Sequence, residues 1–138
     1  MNSTEMYYKN FQKKYNRKIN EDRKRMLKVL KKLQFPHLNL EKPINVIGSD
    51  GKFTTAVNLI SFLEANKKKT TFFSSPHLVD LTHRYRLKKK FISLNQIKKY
   101  EKIIHNTGLK LTLFELLTII YLLAANDQKR IDYHIYES

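Results

Sequence analysis

NVIGSDGKFTTA, residues 45–56, runs from an apolar segment through two glycines into a helix-prone segment. INVIG, residues 44–48, has the length and composition of a short buried strand. Residues 53–66 then place Ala56, Val57, Leu59, Ile60, Phe62 and Leu63 over a wide face of one helix. KKKTTFFSS, residues 67–75, ends in a β-prone run and reads as a second strand. Strand, helix and strand with short joints make a βαβ unit, whose parallel strands lie in sheets covered on both faces. The expected fold class is therefore α/β.

The turn inside this stretch carries the chemistry. A helix N-terminus offers unpaired backbone N–H groups and a partial positive charge. Glycines let that backbone approach phosphate oxygens closely. A lysine adds a mobile charge, and a hydroxyl in the first helical turn can hold Mg²⁺. Gly48, Gly51, Lys52 and Thr54 supply these parts in order, with Ser49 and Asp50 between the glycines. Two of the chain's 3 glycines lie here. The pattern is not the common G-x-x-x-x-G-K-[ST], because the glycines are closer and Phe53 separates Lys52 from Thr54. Taken alone, the loop fits a phosphate cradle and an Asp-Gly turn with a solvated lysine equally well.

Upstream, residues 1–20 are polar and dotted with tyrosines, without a clear period. From Asn20, a candidate cap, Met26, Leu27, Leu30 and Leu33 recur on one helical face opposite lysines and arginines. Pro36 and Pro43 end that pattern. Downstream, SPHLVDLTHRY reads as a loop or short helical turn, and YRLKKKFIS as a hairpin with lysines at its tip. SLNQIKKYEKIIHNT, residues 93–107, is an amphipathic helix with a Ser cap; Leu94, Ile97, Tyr100, Ile103 and Ile104 face inward and Gly108 stops it. LTLFELLTIIYLLAAND, residues 111–127, is apolar nearly all round. It is shorter than the roughly 20 residues a membrane span needs, and Glu115 interrupts it, so it reads as a buried helix. RIDYHIYES, residues 130–138, alternates like a strand. The expected organisation is a basic helical arm over 1–42 and an α/β portion over 43–138. Its three parallel strands are few for such a sheet, so an incomplete, interrupted domain is expected.

Composition narrows the function. The chain has 138 residues, of which 41% are hydrophobic, enough for one core. The absence of cysteine excludes a disulfide scaffold, a thiol nucleophile and a cysteine zinc site. The N-terminus lacks the uninterrupted apolar core of a signal peptide, so the cytoplasm is the expected compartment and no membrane partner is expected. The net charge of +15 is carried almost wholly by lysine and suits anionic ligands, ATP and polyglutamate included.

Further segments extend the reading. VIGSDGKFT resembles the V-A-G-T-N-G-K-G-S loop of the folylpolyglutamate synthase and dihydrofolate synthase family, relatives of the Mur ligases. FFSSPHLVDLTHRYRLKKKFIS is similar to that family's YTSPHL…ERI…N-G…IS segment, with Ser75-Pro76-His77-Leu78 intact. LTLFELLT is similar to LT-x-FE-x-x-T at Leu111, Thr112, Phe114, Glu115 and Thr118. IDYHIYE resembles VD-x-A-x-x-E, the strand that precedes a Gly-rich VGLGGR. The segments occur in family order and cover about residues 20–138.

The resemblance implies an incomplete P-loop-type parallel sheet flanked by helices, like the Mur ligase central domain, with a basic N-terminal helical arm. It implies ATP and Mg²⁺ as cofactors and folate or dihydropteroate and glutamate as substrates, joined as an amide through an acyl phosphate. By position, Gly48, Ser49, Asp50, Gly51, Lys52 and Thr54 would hold the triphosphate, with Lys52 as the catalytic residue. Thr54, Ser75 and Glu137 match metal positions, and Thr112 and Phe114 match a region that touches the substrate's ring system.

Bland readings stand beside these. Phe114 on an apolar helix reads as core, Glu115 as a local cap or ion pair, His77 as a loop-orienting residue, Ser75 as a cap and Glu137 as a frayed chain end. Lys67–Lys69 and Lys88–Lys90 read as solvated. The sequence also departs from the family pattern: Asp50 stands for Asn, Phe53 for Gly, and His83 for the Glu of ERI. It stops before a GLGGR-like segment, so the expectation is a truncated ligase, weak or inactive alone, that needs the missing C-terminal half. The alternatives are a non-catalytic Lys-rich nucleic-acid-binding module and a degenerate remnant. Nucleic acid is the less expected partner, because arginines are few and no base-reading motif is present.

Overall fold

The structure is a computed structural model that describes residues 2–15, 18, 23–77 and 79–138. The elements in chain order are α1 (Ser3–Lys14), α2 (Lys24–Lys32), β1 (Pro43–Val46), α3 (Lys52–Ala65), β2 (Thr70–Phe73), β3 (Tyr85–Leu87), β4 (Lys90–Phe91), α4 (Leu94–His105), α5 (Leu113–Asp127) and β5 (Tyr133–Glu137). Short 3₁₀ turns cover Pro36–Asn39 and Leu81–Arg84.

The strands form one sheet in the order β1-β5-β2-β3-β4. β5 lies between β1 and β2 and pairs in parallel with both. β3 and β4 form the expected hairpin, antiparallel to β2, with Lys88 and Lys89 at its turn. The sheet is thus mixed, with its parallel part set by the β1–α3–β2 unit read from the sequence. Alternation sorts the side chains of β2: Phe72 packs with Ala56, Ile60 and Ile135 under α3, and Phe73 joins the larger core under α5.

α5 is buried nearly all round because it packs on β2, β3, α4 and the Pro36–Asn39 turn. Tyr121 and Tyr85 both stack on Phe73. The Tyr121 hydroxyl meets Thr71 Oγ1 at 2.7 Å, and Thr71 Oγ1 meets His134 Nδ1 at 2.7 Å, so three buried polar groups satisfy one another. α4 and α5 each begin in a capping box, Ser93 with Gln96 and Thr112 with Glu115.

Several expectations change. The stretch read as lacking a period contains α1, capped by Asn2, whose side chain accepts the Glu5 N–H at 2.7 Å. Its apolar positions are few but at helical spacing: Tyr7, Phe11 and Tyr15 contact one another in sequence, and Phe11 is buried. The proposed Asn20 cap lies outside the described residues. α2 begins at Lys24 without a side-chain cap, and its buried residues are Val29 and Leu30, whereas Leu27 is 56% exposed. Ile103 of α4 is exposed, not inward. Among the described residues, no helix is long and apolar enough to cross a membrane.

Candidate functional site

β1, β5 and β2 are parallel, and their registers bring Val46, Glu137 and Phe73 to one edge of the sheet. Ligands of open α/β sheets bind beyond this carboxyl edge, where the loops converge. Here the loop after β1, the loop after β2 and the end of β5 line one cavity of about 780 Å³.

The β1–α3 loop takes the shape that its glycines allow. Gly51 is the N-cap of α3 with φ 71°, a left-handed conformation that costs glycine no Cβ strain. Glycine contributes no side-chain cap, so the first amides of α3 keep their donors open at the positive end of the helix. Gly48 has φ 152°, which is also unfavourable for an L side chain. Ser49, Asp50, Gly51 and Lys52 line the cavity. The Lys52 ammonium donates to the Ser138 carbonyl at 2.9 Å, beside the end of β5. Thr54 is exposed in the first turn of α3 and is not among the lining residues, nor is Gly48. Phe53 lines the cavity at 56% exposure, with its ring 6.1 Å from Phe72.

Ser75 and Glu137, 62 residues apart, meet at this edge: the Ser75 N–H donates to Glu137 Oε1 at 2.8 Å. Glu137 is 4% exposed, so the expectation of a frayed end is wrong. Its position as the last β5 residue, on the same face as Ile135, points it under α3 and into the cavity. Arg84 Nη1 donates to Ser75 Oγ at 2.9 Å, and Arg84 Nε donates to His77 Nδ1 at 2.7 Å. An accepting Nδ1 belongs to a neutral imidazole. Burial lowers the His77 pKa, and the Arg84 charge lowers it further. His77 therefore orients its loop, as read from the sequence. Ser75 and Pro76 are joined by a cis peptide bond. Leu78, the last residue of the SPHL match, lies outside the described residues.

The opposite wall was not read from the sequence. Arg86 of β3 forms a two-armed ion pair with Glu64 of α3, at 2.6 and 3.2 Å. Val57, Val79, His83 and Phe91 complete the wall, and His83 packs on Phe91 with ring centroids 4.6 Å apart. The sequence comparison noted only His83 in this segment; the neighbouring arginine does the structural work.

Thr112 and Phe114 are not brought to the cavity. Thr112 is buried as the cap of α5. Phe114 is 48% exposed, which overturns its reading as core: it lies on the outer side of the first turn of α5, whose Leu113 and Leu116 are buried. Glu115 caps locally, as read, and also accepts from the distant Arg25 of α2 at 3.1 Å, a pairing that was not read; it does not line the cavity. Among the described residues, no cluster of three or more His, Asp or Glu is arranged to hold a metal. Ser75 and Glu137 meet at the cavity through the Ser75 N–H, and Ser49, Asp50, Glu64 and Ser74 line it too.

No protein-family model and no curated protein matches the chain. Solved structures do. A ligand-free bifunctional folylpolyglutamate synthase/dihydrofolate synthase from Yersinia pestis is 30% identical over 82% of this chain, with a TM-score of 0.76. The Yersinia pestis enzyme complexed with AMPPNP and Mn ion matches 99% of this chain at 25% identity and a TM-score of 0.86. E. coli FolC in complex with DHPP and ADP matches 97% at 26% identity and a TM-score of 0.85. The chain spans 28%, 33% and 32% of those three chains, respectively. Fold, loop order and these likenesses agree: the chain is similar to the folylpolyglutamate synthases/dihydrofolate synthases over about a third of their length, consistent with an N-terminal portion of such an enzyme.

Proposed function

We propose that this chain is the ATP-holding part of an ATP-dependent folate:glutamate ligase, with residues 48–54 cradling the triphosphate. The observation that carries the reading is the Gly51-capped N-terminus of α3, open to the same cavity as Lys52, Ser75 and Glu137. Open amides and a helix dipole attract phosphate oxygens. Lys52 is half-buried at the mouth of the loop, and its flexible stem lets the ammonium leave the Ser138 carbonyl for an outer phosphate. Relatives bound to AMPPNP with Mn, and to ADP, support this ligand class.

The donor set fits a hard divalent cation. Magnesium keeps several waters and is commonly held by one or two protein oxygens plus substrate phosphates. The Glu137 carboxylate and the Ser75 hydroxyl would hold it, and Thr54 would join them only by turning in from outside the cavity lining. Bound there, the cation would supply charge neutralisation between phosphate groups. In the full reaction class, a folate or dihydropteroate carboxylate is phosphorylated by ATP and then captured by the amine of glutamate. Phe114, exposed at the start of α5, would contact the ring system from outside the cavity lining, and Thr112 would support it as the buried cap of α5. This chain's own residues contribute binding and positioning to that sequence.

Asp50 and Phe53 work against tight binding. Asp50 places a carboxylate on the cavity beside the amides, and Phe53 adds a ring where close backbone approach is wanted. Weak binding is therefore expected. Calorimetric titration of the chain with Mg-ATP tests the proposal: binding is expected, weakened about tenfold or more in Lys52→Ala, as for loss of a charge-assisted contact. Equal affinity in the two proteins would remove Lys52 from the site. No binding at roughly 5 mM Mg-ATP, read also as an unchanged melting temperature, would overturn the nucleotide reading.

A further inference from the structure

The loop that carries Ser75 is held from a direction that the sequence did not indicate. Arg84 is 5% exposed, yet none of the ion pairs among the described residues includes it. Its two donated bonds go to neutral acceptors, His77 Nδ1 and Ser75 Oγ. A buried guanidinium without a carboxylate needs another source of negative potential. Tyr8, from the middle of α1, supplies it: the guanidinium carbon lies 6.0 Å from the centre of the Tyr8 ring. The same ring meets the His77 ring edge-on, with centroids 4.5 Å apart. One side chain of the N-terminal helix thus braces both partners of the Ser75 loop.

α1 is itself anchored away from the site. Phe11 is buried in the main core, and Lys14 Nζ and Tyr15 OH both donate to Glu101 of α4, at 2.8 and 2.7 Å. Contacts therefore run without a break from α4 through α1 to Tyr8, then through Arg84 to Ser75 and on to Glu137 at the end of β5. Asp80 and His83 are the other charged or titratable groups near His77, and Asp80 is engaged with Thr82.

We propose that Tyr8 is a positioning residue for Ser75: its ring holds Arg84 and His77 in place, and so fixes the Ser75 hydroxyl and N–H at the rim of the cavity. Without the ring, the guanidinium loses its counter-potential and turns toward water, and the Ser75 loop relaxes away from Glu137. The consequence for ligand affinity rests on the nucleotide reading above; the geometry does not.

The test compares the parent chain with Tyr8→Leu and Tyr8→Phe by ¹⁵N nuclear magnetic resonance and by titration with Mg-ATP. In the parent, cross-relaxation between the Tyr8 ring and both Arg84 Hε and the His77 ring protons is expected. Tyr8→Leu is expected to shift the Ser75 amide, to speed Arg84 Hε exchange with water, and to weaken Mg-ATP about tenfold. Tyr8→Phe keeps the ring face and is expected to restore all three, which assigns the effect to the ring and not to the hydroxyl. Unchanged Ser75 and Arg84 signals in Tyr8→Leu, or Tyr8→Phe behaving like Tyr8→Leu, would overturn the proposal. If Tyr8→Leu does not fold, absence of the Tyr8–Arg84 cross-relaxation in the parent overturns it, and its presence with an unperturbed Tyr8→Phe supports it. A parent that shows the cross-relaxation but binds no Mg-ATP would sink the nucleotide reading and leave the Tyr8 contact standing.

Discussion

The Glu137 carboxylate accepts the Ser75 N–H across 2.8 Å and so ties the end of β5 to the loop after β2. Both residues line the same point of the cavity, and the contact ties each to the other. Replacing Glu137 by Ala strands a half-buried N–H and is expected to cost about 1–3 kcal/mol, read as a lower melting temperature. Glu137→Gln keeps an acceptor and costs less, but removes the carboxylate. Its signature is loss of the divalent-cation dependence of nucleotide binding with little loss of stability.

Asp50 tests the electrostatics of the loop. Its carboxylate lines the cavity beside the amides of α3. Asp50→Asn removes the charge and keeps the shape. Mg-ATP is expected to bind several-fold more tightly, with the gain shrinking as salt screens the site. Calorimetry at two ionic strengths checks this; weaker binding in Asp50→Asn would mean that the carboxylate serves the ligand.

The Arg86–Glu64 pair joins the hairpin to α3 at the far wall of the cavity. Both side chains are mostly buried, and the contact is two-armed. Glu64→Gln is expected to lower stability by about 1–3 kcal/mol by leaving a guanidinium poorly paired. Denaturant unfolding measures the loss. A change near zero would make the pair a solvated surface contact.

A pH dependence follows from Glu101. Burial pushes its carboxyl up, but the hydrogen bonds from Lys14 and Tyr15 outweigh burial and hold it below the usual carboxylate range. A carboxyl depressed in the folded state stabilises above its unfolded pKa and loses that contribution as pH falls through the folded value. The attachment of α1 to α4 should therefore be intact at neutral pH and weaken below about pH 4. The melting-temperature difference between the parent and Glu101→Gln should be present at pH 7 and vanish in strong acid. A difference that persists in acid would assign the effect to packing.

What could be read from the sequence was local and periodic. The β1–α3–β2 unit, the hairpin at Lys88 and Lys89, and the cap at Ser93 each follow from a signal within a few residues; the cap at Thr112 was not read. Where β5 inserts was not legible, because strand order depends on pairing between Ile44, Phe72 and Ile135, far apart in the chain. The lining of the cavity was legible where a motif carried it, at Ser49–Lys52 and Ser75. At Glu137 the resemblance named the position while its chain-end place hid its burial, and Arg86 and Glu64 were not legible, because they meet only once β3 packs on α3. α1 was missed because three aromatic residues at helical spacing are a weak signal in a lysine-rich background.

On the proposed function, the backbone of residues 48–54 wraps an anion and the Lys52 ammonium closes over it. Amide chemical shifts during a Mg-ATP titration, with MgCl₂ alone as the reference, test it most directly. The account predicts the largest changes at Gly48 through Thr54 and at Ser75, and their loss in Lys52→Ala. Saturating Mg-ATP that leaves those amides unmoved, or that shifts only the lysine-rich surface of α2, would contradict it.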